Sequence, residues 1–208
     1  MWLKGVAGMI HPDTELYWAG PAIGFGVRAT RDIPQGTLTW VRCALDIVLD
    51  EQQALALGSA YAAVVDRYAY LEADGKRVLC WDNGRFINHH CHANSRGIAP
   101  GAQIAIRDIP AGEELTCDYG ECNLPWTLEC ACTSPYCRGT IRPDDLDTYA
   151  ERWDDELAPA IVAARECLQP LLLYVDPDSV LSEILAGQRL PPTIRDLAFR
   201  GKSRCLAG

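Results

Sequence analysis

Three of the chain's four histidines lie in one stretch, Arg85-Phe86-Ile87-Asn88-His89-His90-Cys91-His92-Ala93-Asn94, beside two carboxamides and a thiol. Imidazole, amide and thiol groups at that density can ligate a metal or hold a polar ligand, although a polar loop around one buried cysteine has the same make-up. A second group is Cys130-Ala131-Cys132-Thr133-Ser134-Pro135-Tyr136-Cys137-Arg138-Gly139, with three cysteines within eight residues. Structural zinc sites take four thiolate or imidazole ligands in a tetrahedron, and short spacings let one loop wrap the ion while Pro135 and Gly139 turn the backbone. One ligand is then missing. Cys122 is a candidate, as are Cys91 and the histidines of the first stretch; with Cys91, the later loop would be stapled over Asn88 and His89.

The bulk of the chain sets the frame for those groups. With 208 residues, 49% hydrophobic and 23% charged, it is long enough for one sizeable core with appendages or for two small domains. Its 19 basic and 28 acidic residues give a net charge of −9, which argues against direct nucleic acid binding. An acidic surface would attract a basic protein tail, but it would equally serve solubility alone. Residues 1–6 show no secretory leader, no apolar run approaches a membrane span, and the reading is an intracellular protein, cytoplasmic or nuclear, and a monomer. In a reducing compartment its ten cysteines are thiols and metal ligands rather than disulfides.

Short apolar runs broken by Gly, Pro and Asp predict strands at residues 26–29 and 37–41. Ahead of the first, Ile23-Gly24-Phe25-Gly26 carries a Gly-x-Gly that allows a tight turn or the close approach of a ligand, a weak signal alone. Asp50 with Gln53 predicts a capped helix over 51–57 ended by Gly58, and Ser59 predicts a second through about residue 65. Tyr68-Ala69-Tyr70 and residues 78–81 read as a hairpin turning at Asp74-Gly75, and 103–106 as a further strand. Arg31-Asp32-Ile33-Pro34-Gln35-Gly36 and Arg107-Asp108-Ile109-Pro110-Ala111-Gly112 share Arg-Asp-Ile-Pro-x-Gly and read as two similar loops. Beyond residue 141 the texture turns helical: 159–168, a helix introduced by Asp176-Pro177-Asp178-Ser179 and ended by Gly187, and 193–199.

Taken in order, these residues resemble the SET-domain protein-lysine methyltransferases with a post-SET zinc loop. Ile23-Gly24-Phe25-Gly26 is similar to the family's early Gly-x-Gly, and Arg85-Phe86-Ile87-Asn88-His89-His90-Cys91 to its Arg-Phe-Ile-Asn-His-Ser-Cys box. Glu113-Glu114-Leu115-Thr116-Cys117-Asp118-Tyr119-Gly120 is similar to Glu-Glu-Leu-x-Phe-Asp-Tyr-Gly, and Cys130, Cys132 and Cys137 fit Cys-x-Cys-x4-Cys. The resemblance implies a mainly β, β-clip fold with a knot-like crossing of the Asn-His and Asp-Tyr boxes. It divides the chain into a SET domain at 15–120, a zinc loop at 121–140 and a helical appendage at 141–208.

It further implies S-adenosylmethionine as cofactor, held by Asn88 and His89, by Ile23, Gly24, Phe25 and Gly26, by Arg85 and Ala131, and by Tyr68 or Tyr70. Cys91 becomes the fourth ligand of a structural zinc with Cys130, Cys132 and Cys137. Tyr119 becomes the catalytic residue for methyl transfer to a lysine of a protein or peptide, the alternative being a catalytically silent module that binds a peptide. His90 and His92 depart from the pattern, and so does Cys117, which stands where an aromatic residue limits the number of methyl groups added. The smaller cysteine implies di- or trimethylation.

Overall fold

The computed structural model describes residues 9–201, 205 and 206, so the expectation drawn from residues 1–6 falls outside it. Strands β1 (Thr14–Gly20) and β2 (Gly24–Ala29) form an antiparallel hairpin, and β3 (Leu38–Val41) pairs with β9 (Ala102–Ala105), which also pairs with β8 (Ser95–Ala99). A third small sheet has the order β4 (Ile47–Leu49), β6 (Arg77–Leu79), β5 (Ala69–Leu71). Between β4 and β5 lies an insert of two helices, α1 (Glu51–Ala56) and α2 (Ser59–Tyr68). Strand β7 (Asn88–His89) runs parallel to β10 (Thr116–Cys117), with Asn88 opposite Thr116 and His89 opposite Cys117. A short ladder of β11 (Leu128–Glu129) with β12 (Thr140–Ile141) frames the cysteine loop. This is the mainly β body of small sheets that the sequence motifs imply, and the Asn-His and Asp-Tyr boxes meet in it.

Local chemistry accounts for most boundaries. Asp50 accepts from Gln53 N while the Gln53 side chain accepts from Asp50 N, so α1 opens on the expected capping box. Ser59 is not the cap of α2. Gly58 holds that position with φ +75°, without a side-chain bond, and the helix runs on to Tyr68, three residues past its expected end, which makes Tyr68 helical rather than part of a strand.

The appendage differs more. Its main helix, α3 (Asp145–Ala163), runs through Pro159 instead of starting there. Leu146, Ala150, Trp153, Leu157 and Ala160 repeat at three- and four-residue steps and are all buried, which builds one continuous apolar face. Pro159 is exposed, so the carbonyl it leaves without a donor can be met by water. Helix α4 (Val180–Leu185) is capped by Ser179, so Pro177 precedes the cap. A final 3-10 turn, Ile194–Leu197, starts on a capping box of Thr193 and Asp196.

Two apolar clusters hold the molecule. One joins Trp153, Leu157 and Ala160 of α3 to Leu38, Ile98 and Ile104 of the central sheet, so the appendage shares a core with the body. The other gathers Val27, Ile33, Trp40, Ile109, Leu115 and Cys117 beneath the two boxes.

At the second cluster, to which Ile33 and Ile109 belong, the repeated hexapeptides clasp one another. Ile33 N donates to Ile109 O and Ile109 N to Ile33 O, both at 2.9 Å. Asp32 Oδ1 accepts from Ala111 N and Asp108 Oδ1 from Gln35 N, both at 2.8 Å. The similarity noted in the sequence is thus a local two-fold pairing in which each copy satisfies the other's backbone.

Each hexapeptide ends on a glycine, Gly36 at φ +87° and Gly112 at φ +86°, a region that costs other residues about 1–2 kcal/mol. Their surroundings differ. A Cβ on Gly112 would meet nothing within 4 Å, whereas one on Gly36 would lie 2.5 Å from Ala164 N and 2.7 Å from Ala163 C, at the end of α3. Gly112→Ala is therefore expected to cost about 1–2 kcal/mol and Gly36→Ala clearly more, in urea unfolding. Equal costs would mean that α3 is not seated on this loop.

Candidate active site and thiol cluster

The residues of the Asn-His box are positioned by β7 and by the 3-10 turn before it, Asn83–Phe86. Asn88 Nδ2 donates to Phe25 O at 3.1 Å and to Glu114 Oε1 at 2.8 Å, binding the Gly-x-Gly strand to the box that precedes Tyr119. This is why Gly26 must be glycine: a Cβ there would stand 2.9 Å from Asn88 Nδ2 and against the Glu114 carboxylate. Phe25, 45% exposed, heads a run of edge-to-face rings in which it meets Trp18 and Phe86, and Phe86 meets Tyr68. The Arg85 guanidinium lies 5.0 Å from the centre of the Phe86 ring. Phe25, Phe86, Tyr68 and Arg85 thus form a contiguous group beside Asn88, which holds the Phe25 carbonyl, and Ile23 and Gly24 lead into it at the start of β2.

His89 turns inward. Its Nδ1 accepts from Tyr119 N at 3.1 Å, which fixes the proton of the neutral ring on Nε2, and Nε2 points at Cys91 Sγ, 3.4 Å away. Burial brings the imidazole pKa down to about 4 despite the Asp118 carboxylate 3.5 Å from Nδ1, so the ring is neutral at pH 7. It is a donor toward sulfur on one side and an acceptor for the tyrosine backbone on the other.

Ligand atoms of His89, Cys91, Cys130 and Cys132 lie within 4.8 Å of one another. Cys91 Sγ is 3.7 Å from Cys130 Sγ, and the Cys137 thiol adjoins those of Cys130 and Cys132. Burial opposes ionisation of Cys132, but the amides of Cys91 and Ser134 and the neighbouring thiols outweigh it and bring the pKa to about 6. Ala131 stands exposed between two of these cysteines. Cys122 is elsewhere: its Sγ adjoins Cys117 and faces Asp118 O at 3.9 Å, so the structure brings Cys91, not Cys122, to the loop. A group of three or four sulfur donors closed by a turn fits zinc by its chemistry.

Tyr119 is half-buried, and its hydroxyl donates to Ile87 O at 3.0 Å. Burial, together with the neighbouring Cys117, pushes its pKa well above the ordinary tyrosine value, so at neutral pH the group is a hydroxyl donor. It borders a cavity of about 700 Å3 whose wall includes Trp40, Tyr70, Cys117, Cys122 and Trp126. Cys117 lines this space. The acidic groups around it are engaged: Glu72 with Arg42, Glu121 with Arg96, Asp118 with Arg138, and Asp66 with the Leu206 amide.

Several of the residues that shape the site carry no motif signal. Arg96, wholly buried, pairs with Glu121 and Glu156 and lies over the Trp153 ring. Arg138 spans from the cysteine loop to Asp118 at 2.7 Å and to Asp145 at 3.2 Å. Apart from Arg138 and Asp145, these partners are 20 or more residues apart, so spacing could not pair them; an arginine directly after the last cysteine was the one available hint.

The family described as SET domain matches residues 24–120. The chain is 30% identical over 132 residues to the variant-silencing SET domain-containing protein of Plasmodium falciparum, covering 55% of this chain and 5% of that protein. It is 29% identical over 155 residues to histone-lysine N-methyltransferase ASHH2 of Arabidopsis thaliana, covering 67% and 9%. It is 37% identical over 95 residues to the H3 lysine-4 specific histone-lysine N-methyltransferase of Saccharomyces cerevisiae, covering 41% and 8%. The chain thus spans less than a tenth of the length of these relatives. Its Gly-x-Gly strand, Asn-His box and Asp-Tyr box all fall inside the matched segment, and residues 24–120 are a SET domain.

Proposed function

We propose that this protein is an S-adenosylmethionine-dependent protein-lysine methyltransferase, a reading carried by the half-buried Tyr119, its hydroxyl bonded to Ile87 O where β7 and β10 meet, beside an apolar-walled cavity. Three relatives in the same family, two of them named histone-lysine N-methyltransferases, support it. Bound S-adenosylmethionine supplies a sulfonium methyl group for in-line displacement. This chain's part is to bind, to align and to exclude water. The backbone at Ile23, Gly24, Phe25 and Gly26, with Asn88 and His89, receives the polar groups of the cofactor, and the exposed rings of Trp18 and Phe25, with the half-buried Phe86, offer faces to its base. Arg85 and Tyr68 close the same face, and Ala131 closes it from the zinc loop.

The target lysine enters through the cavity bordered by Tyr119, whose wall also includes Tyr68 and Arg85. An ammonium has no lone pair to donate, and desolvation by Trp40, Tyr70 and Trp126 together with the positive sulfonium lowers its pKa. Because the carboxylates around the cavity are already engaged, the proton leaves to water rather than to a side-chain base. Tyr119 orients the resulting amine. The negative surface of the chain suits a basic segment of a protein substrate, histone-like in charge. Tyr119→Phe is expected to lower kcat about 100-fold or more while the cofactor Kd changes little, measured by labelled methyl transfer and calorimetry. Unchanged transfer would instead favour a peptide-binding module.

Zinc held by Cys91, Cys130, Cys132 and Cys137 gives the loop its shape, with no position left open for substrate. His89 fits as a donor to the Cys91 thiolate, because ligation through Nε2 would require removal of its proton while Nδ1 still accepts from Tyr119. Metal analysis is expected to return about one zinc per chain. Cys132→Ser is expected to lower that content and weaken cofactor binding together, by roughly tenfold or more; normal zinc in this variant would remove Cys132 from the ligand set.

Cys117 is smaller than an aromatic residue and leaves room beside Tyr119 for an amine that already carries methyl groups. Mass spectrometry of product is expected to show di- or trimethyllysine, and Cys117→Phe to stop earlier. Monomethyl product alone from the active protein would contradict this reading.

A further inference from the structure

Arg138 follows the last cysteine of the thiol loop and touches three different parts of the molecule. Its backbone N donates to Cys91 Sγ at 3.4 Å. Its guanidinium gives two parallel bonds to Asp118, Nη1 to Oδ2 and Nη2 to Oδ1, both at 2.7 Å. Nη2 also lies 3.2 Å from Asp145 Oδ2 at the start of α3, and the guanidinium carbon is 4.7 Å from the centre of the Tyr149 ring. Asp118 is the residue before Tyr119. Its carboxylate, fully buried, accepts from Gly120 N at 3.0 Å and so fixes the turn that carries the tyrosine. The turn's other anchor, Tyr119 N to His89 Nδ1, rests on a ring whose far nitrogen faces Cys91.

We propose that Arg138 is a positioning residue that makes the geometry of Tyr119 depend on closure of the thiol loop around its metal. The inference rests on the proposed zinc site. When the four sulfurs are drawn together, Cys137 places the Arg138 backbone against Cys91 and its side chain reaches Asp118 with both carboxylate oxygens covered. When the loop opens, Asp118 is left charged and buried without its bidentate partner, an arrangement that the fold cannot keep. The turn holding Tyr119 must then rearrange. Asp145 and Tyr149 hold the same guanidinium from the appendage, so α3 helps to complete the site.

The test follows Tyr119 without requiring methyl transfer. Hydrogen exchange of the Tyr119 amide is measured by NMR in the full chain, zinc-loaded and chelated, for wild type and Arg138→Gln. Chelation of wild type is expected to speed that exchange about tenfold or more, Arg138→Gln to be equally fast with its zinc retained, and chelation of Arg138→Gln to add nothing further. Arg138→Lys, which can cover only one oxygen, is expected to fall between. If Arg138→Gln fails to fold, Asp118→Asn/Arg138→Gln removes the buried charge, and its exchange is expected to be fast and indifferent to zinc. The proposal is overturned if Arg138→Gln exchanges like zinc-loaded wild type, or if chelation speeds exchange as much in the variant as in wild type. Methyl transfer measured alongside separates the two readings: kcat falling with an unchanged cofactor KM supports both, whereas a wild type that methylates no lysine yet shows the exchange pattern removes the enzyme and leaves the coupling.

Discussion

A carboxylate removed from water is tolerated in a fold only where its partners are supplied by the surrounding structure, and Asp118 sets that condition here. Burial would raise its pKa, but the Arg138 guanidinium more than offsets this, aided by Arg96, and keeps it below the usual carboxylate range. The partners come from different parts of the chain: Arg96 from β8, Arg138 from the cysteine loop, and the Gly120 amide from the turn after β10. Satisfying one charge therefore brings together three segments that share no strand ladder.

The same logic extends outward. Arg96 is itself wholly buried and is balanced by Glu121 on one side and by Glu156 of α3 on the other. Arg138 is balanced by Asp118 and by Asp145. Two guanidiniums thus tie the appendage to the site at the level of charge, while Trp153 and Leu157 tie it through the apolar core. Breaking one member of such a network strands a charge, which costs far more than losing a surface ion pair. The helical part reads in the sequence as an addition to the SET domain, yet in the structure it completes the domain's interior.

Sequence carried the parts of the site that are local. The Gly-x-Gly, the Asn-His box, the Asp-Tyr box and the cysteine spacing are each set by backbone geometry over a few residues, and so their residue types announce them. The capping box at Asp50 and Gln53 was legible for the same reason. What could not be read is what depends on distance in space: the pairing of Arg138 with Asp118, the inward turn of His89, and the removal of Cys122 to the cavity wall. Helix α3 escaped for a different reason, since Pro159 drew the boundary to itself, while the buried positions from Leu146 onward showed a helix already under way. The repeated hexapeptides were visible as a likeness, but nothing in either copy says that its partner is the other.

That reciprocal pairing has a topological consequence. Because Ile33 is bonded to Ile109 and the aspartates of each copy hold the backbone of the other, all the chain between them leaves and returns through a single fixed gate. The insert with α1 and α2 belongs to that enclosed excursion. Lengthening a loop whose ends are already pinned costs only a slowly growing entropy. The segment between β4 and β5, which ends on Tyr68, is thus free to change length while the frame that presents Tyr119 stays the same.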